Sequence, residues 1–76
     1  MRTLRLHQDL YSARAIEESC EVFEAHARVD RREERPYFQL EISAIAADTD
    51  EPALAGELAN YALALTVEEK RGSHEG

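Results

Sequence analysis

Three histidines, one cysteine and sixteen acidic side chains are the groups in this chain able to hold a metal, attack a carbonyl carbon or move a proton. Their spacing argues against all three. His7, His26 and His74 are scattered, and none belongs to a His-Glu-x-x-His or Cys-x-x-Cys arrangement. Glu21, Glu24 and His26 resemble a ligand set at a glance. On a helix, however, residues two apart point in different directions, so Glu24 and His26 do not converge. They read as a solvated face. Cys20 falls on an apolar stripe beside Glu17, Glu21 and Glu24, whose charge raises a thiol pKa, so it reads as a small buried hydrophobe without an activating group. The pairs Glu17/Glu18, Glu33/Glu34 and Glu68/Glu69 lie on exposed helix faces or in a turn. Acid–base work needs a carboxylate in a pocket with a shifted pKa. Gly56, Gly72 and Gly76 are isolated, which leaves no phosphate-cradling loop. No catalytic, cofactor-binding or metal-ligating residue is therefore assigned. The domain is expected not to be an enzyme by itself.

The elements that position these groups follow from periodicity. Thr3 to His7 alternates polar and apolar, the period of a half-buried strand with Leu4 and Leu6 inward. Ser12 suits a helix N-cap, with Tyr11 and Ile16 at staple spacing. The helix is expected from Ala13 to about His26, with Ile16, Cys20, Phe23 and Ala27 on its apolar stripe. Ala27 to Arg31 reads as an exposed strand and Glu33-Glu34-Arg35-Pro36 as a turn. Tyr37 to Ala44 is the clearest strand, alternating Phe38, Leu40, Ile42 and Ala44 with polar neighbours. After a loop at Ala47–Asp50, Asp50 caps a second helix in which Glu51 suits the first-turn dipole. That helix is expected to end at Lys70 or Arg71, with Gly72 as a left-handed stop. The order β-α-β-β-α predicts an α+β fold, a three-stranded sheet with both helices on one face. The Val29 and Phe38 strands are expected to form an antiparallel hairpin, and the sheet order stays open. One domain spans 1–72, and 73–76 is a frayed tail.

Composition narrows the partners. The chain has 76 residues and a formal charge of −7, with 33% charged residues. That balance argues against nucleic acid and against an anionic membrane surface. No run approaches the ~20 apolar residues of a spanning helix. With one free thiol and no address signal, the expected compartment is the cytoplasm. A domain this small buries only ~60% of its unfolded surface, so oligomerisation or docking to a larger partner is a common route to stability. Arg28, Arg31, Arg32 and Arg35 form the basic cluster, but Asp30, Glu33 and Glu34 interleave with it. A solvated hairpin or a docking patch for an acidic segment are both open readings. An open sheet edge can also accept a strand.

The second helix is the most informative stretch. Between Ala53 and Val67 its only charge is Glu57. Leu54, Leu58, Tyr61, Ala62 and Leu65 make the stripe expected to cover the sheet. Gly56, Ala59, Leu63 and Val67, with Asn60 at the edge, lie opposite. A helix apolar all round is normally buried all round, so these five residues are the expected partner-binding face.

Leu10-Tyr11-Ser12 leading into an amphipathic helix, a strand pair, and a final helix carrying Leu58-Ala59-Asn60-Tyr61-Ala62-Leu63 together resemble the HxsD family. Its members are small accessory proteins of His-Xaa-Ser peptide-maturation systems, encoded beside radical SAM enzymes. Leu58, Asn60, Tyr61 and Leu63 echo that family's late Leu-Leu-Asn-Asp-Tyr-x-Leu-Arg-Glu motif, although its Asp is absent here. Glu68-Glu69-Lys70-Arg71 loosely matches its close. The resemblance implies a non-catalytic helper that binds a peptide-modifying enzyme or its precursor peptide. Two alternatives stand beside it: a homo-oligomeric structural subunit using the same helix, and a small enzyme with its site at a dimer interface.

Overall fold

Alternation and capping produce the elements in the order read from the sequence: β1 (Arg2–His7), α1 (Ala13–Val22), β2 (Ala27–Glu34), β3 (Tyr37–Ala44) and α2 (Glu51–Glu75). The structure is a computed structural model that describes residues 1–75, with side chains through Arg71. The side chains of the tail expected at 73–76, and Gly76 altogether, lie outside the described residues.

The three strands form one antiparallel sheet in the order β1-β3-β2, so the clearest strand is central. Leu4 faces Leu40 and Leu6 faces Phe38 across β1 and β3, while Val29 faces Ile42 across β2 and β3. These side chains share one face. Both helices cover it, because Ile16 of α1 and Leu54, Leu58 and Ala62 of α2 join Leu6, Leu40 and Ile42 in a single core. Ile16, Leu40, Ile42 and Leu58 are fully buried, and each contributes about 1.5–3 kcal/mol of burial.

The caps form as expected. The Ser12 hydroxyl accepts the Ala15 amide at 3.0 Å, and Asp50 accepts the Ala53 amide at 3.2 Å. Three boundaries differ from expectation. α1 ends at Val22 and passes through a 3₁₀ turn, Phe23–Ala25, rather than running to His26. Ala27 is therefore not on a helix stripe. It begins β2, where it is buried opposite Ala44, and the tighter turn reverses the chain in time for that pairing. β2 extends to Glu34, which leaves Arg35–Pro36, joined by a cis peptide bond, as the whole hairpin turn. α2 continues through Gly72 to Glu75, past the expected left-handed stop.

α2 has 25 residues, roughly 37 Å at 1.5 Å per residue, in a molecule 44 Å long and 16 Å thick. Its last buried residue among those described is Thr66. Beyond it Glu69 is half-buried, and Glu68 and Glu69 line a shallow cleft with Arg14 and Glu18 of α1. Thr66 itself ties α2 to the start of α1, because its Oγ1 accepts the Ser12 amide at 3.1 Å and donates to the Ala62 carbonyl at 2.9 Å.

Candidate functional site

The buried stripe of α2 is Leu54, Ala55, Leu58, Ala62 and Thr66. It recurs mostly at intervals of four, so it fixes which residues turn away. Gly56, Asn60, Leu63 and Val67 are exposed, the last two by 41% and 44%. Ala59 is half-buried and packs against the core, so it forms the margin of the expected docking face rather than its middle. Tyr61, expected in the covering stripe, is 39% exposed, with its ring edge-on to Phe23 at 6.0 Å. Leu65, expected with it, is only partly covered. The stripe is rotated towards Ala55 and Thr66 because small side chains let α2 sit close over β1 and β3 and beside α1. A Cβ built on Gly56 meets nothing within 4 Å. No contact inside the domain requires glycine there.

A second concave region lies between α1 and β2, about 550 Å³ in volume. Glu17, Cys20 and Glu21 line its helix side, and Arg28, Val29 and Arg31 its strand side. Cys20 is half-buried, less enclosed than its place on the stripe predicts. Burial pushes its thiol pKa up, the nearby Arg31 guanidinium opposes that, and Glu17 and Glu21 raise it further. At neutral pH it is a thiol rather than a thiolate, and a poor nucleophile.

His7 and His26 lie at opposite ends of the sheet. His7 ends β1, with its ring edge-on to Tyr37 at 5.2 Å and its Nδ1 accepting the Asp9 amide at 3.1 Å. His26 closes the 3₁₀ turn, and its carbonyl accepts the Ile45 amide at 3.1 Å. The side chain of His74 lies outside the described residues. Among the described residues no three His, Cys, Asp or Glu side chains are grouped to hold a metal ion, and no helix is long and apolar enough to cross a membrane.

The outer face of the sheet is polar throughout. Arg5 stacks over the Tyr37 ring at 5.4 Å. Arg28, Asp30, Arg32 and Glu34 of β2 lie on this face, opposite Ser43, Glu41, Gln39 and Tyr37. Two polar residues the sequence reading did not single out, Ser19 and Thr66, are instead buried in the core and fully bonded, Ser19 to the Ala15 carbonyl at 2.7 Å. Their helical spacing alongside apolar neighbours was the available signal, since Ser and Thr can bond back to the carbonyl four residues earlier.

No family model, curated protein or solved structure matches the chain.

Proposed function

We propose that this domain is a non-catalytic protein-binding module that docks a partner through the outward face of α2. The observation that carries the reading is the exposure of Leu63 and Val67, one turn apart, on a helix whose opposite side is already filled by the core. Exposed apolar residues clustered on one helix face commonly mark interfaces. Full burial of the two would contribute about 1.5–3 kcal/mol each before association costs. Gly56 leaves room for another backbone at the start of the same face.

The resemblance of Leu58, Asn60, Tyr61 and Leu63 to the HxsD motif supports the class of partner: a radical SAM peptide-modifying enzyme or its precursor peptide. Leu63→Glu is the test, with binding to a co-encoded enzyme of that class and to its precursor peptide measured by titration. We expect the substitution to weaken binding on the order of a hundredfold, as a charge in an apolar contact should, with the helical signal of the domain unchanged. Full binding by Leu63→Glu sinks the docking face. Unfolding by the same substitution assigns Leu63 to the core instead.

A further inference from the structure

β2 is an eight-residue strand at the edge of the sheet, with no strand on its far side among the described residues. Which of its backbone groups face outward follows from the hairpin register. The Ile45 amide bonds the His26 carbonyl, in step with the Ala27–Ala44 pairing. Bonded and non-bonded pairs alternate along an antiparallel ladder. Arg28, Asp30, Arg32 and Glu34 therefore point their amides and carbonyls at β3. Ala27, Val29, Arg31 and Glu33 present theirs to the open edge, a ready template for another strand.

We infer that this edge pairs with the β2 edge of a second copy of this chain, antiparallel about a two-fold axis through Arg31, to make one continuous sheet in the order β1-β3-β2-β2-β3-β1. The choice of partner and register rests on charge. A two-fold axis normal to the sheet keeps outer face beside outer face, so pairing partners must both be even-numbered or both odd. With the axis at Arg31, Arg28 of each copy faces Glu34 of the other, and Asp30 of each faces Arg32 of the other. All four contacts on the outer face join opposite charges. They fall at the pairs not bonded through backbone, where side chains come closest. Sliding the axis to Asp30 sets Asp30 against Asp30 and Arg28 against Arg32. Sliding it to Arg32 sets Arg32 against Arg32 and Asp30 against Glu34. Both neighbouring registers make only like-charge contacts on that face.

Two further features fit the same register. Within one chain Asp30 faces Glu41 across β2 and β3, a like-charge pair that the second copy's Arg32 offsets. On the helix-covered face the two Arg31 side chains meet at the axis, which is unfavourable. Glu33 of the other copy lies diagonally across from each, and Glu17 of the same chain lines the cleft with it. This dimer uses a different surface from α2 and leaves Leu63 and Val67 free.

Sedimentation of the chain from micromolar to millimolar concentration at low salt tests the inference. We expect a monomer–dimer equilibrium that weakens as salt screens the pairs. Arg28→Glu and Glu34→Arg should each weaken self-association on the order of tenfold, since each turns two opposite-charge contacts into like-charge ones. Mixing the two single variants should restore a heterodimer, because both contacts then become Glu–Arg again. Circular dichroism confirms that each variant is folded. A wild-type chain that stays monomeric throughout overturns the proposal and leaves the charges as guards against edge pairing. So does a dimer indifferent to both variants and to their mixing. A dimer abolished by Leu63→Glu rather than by Arg28→Glu overturns it too, by placing self-association on α2.

Discussion

α1 and α2 pack side by side over the same sheet, yet they distribute apolar side chains differently. α1 is ten residues long, buries Ala15, Ile16 and Ser19, and turns its glutamates outward. Its exposed face is charged, and apart from Val22 at its last turn it offers a partner little to hold. α2 buries a comparable stripe but carries Tyr61, Leu63 and Val67 on surfaces the domain does not cover. One helix is complete within the fold, while the other has more apolar surface than a three-stranded sheet can use. Among the described residues the fully buried stripe of α2 ends at Thr66, and Leu63 and Val67 lie outside it.

The largest effect expected on this contrast comes from two leucines five residues apart. Leu58 is fully buried and Leu63 is 41% exposed. Leu58→Ala should lower unfolding stability by about 2–5 kcal/mol, the usual cost of a core cavity. Leu63→Glu should shift it by no more than about 0.5 kcal/mol. Urea melts of the two variants at a concentration where the chain is monomeric decide the matter. Equal losses would erase the distinction between the two faces of α2.

A smaller effect concerns where α1 and α2 are joined. The Thr66 hydroxyl accepts from the first residue of the α1 cap and donates within α2. Thr66→Val keeps the shape and removes the acceptor, which strands the Ser12 amide in a part-buried position. The expected cost is about 1–3 kcal/mol. Hydrogen exchange at Ser12 and the first turn of α1 should accelerate more than exchange in β3. Uniform acceleration would mean that Thr66 matters only as core volume.

Much of this arrangement was legible in the sequence, for reasons that differ by element. Strict alternation from Phe38 to Ala44 left β3 only one assignment, and Ser12 and Asp50 announced two helix starts through side chains that bond the orphan amides. The end of α1 was not legible. Helical periodicity continues through Phe23 and Ala27, and only the demand that Ala27 pair with Ala44 converts that segment to a turn and a strand. The rotation of α2 was missed because leucine and tyrosine outweigh alanine and threonine in any apolar count. Close helix packing selects the small residues instead, so Ala55 and Thr66 go in and Tyr61 comes out. The exposure of Gly56, Asn60, Leu63 and Val67 was legible despite that error, because all four lie opposite Leu54, Leu58 and Ala62, whereas Ala59 falls at the margin of the core. The order β1-β3-β2 places the Arg and Glu residues of β2 on an open edge, and no local pattern contains that order.

The smallest effect expected is at the start of α2. Glu51 does more there than meet the helix dipole. Its Oε1 lies 2.9 Å from the Met1 ammonium and its Oε2 accepts the Ala44 amide at 2.8 Å, so it links the start of α2 to both β1 and β3. The ammonium hydrogen bond first, and the Ala44 amide second, hold its carboxyl below the ordinary glutamate range. A depressed folded-state pKa means that the carboxylate favours the folded chain. That contribution is complete above the unfolded value, about 4.3, and is lost as pH falls through the lower folded value. Stability of the wild type relative to Glu51→Gln should therefore be constant near neutrality and shrink to nothing in acid. Thermal melts of both, each with a free amino terminus, from pH 7 downward supply the comparison. Because the ion pair is open to water, raising the salt at pH 7 should narrow the same gap. A gap that persists unchanged in strong acid would show that Glu51 acts through packing or helix propensity.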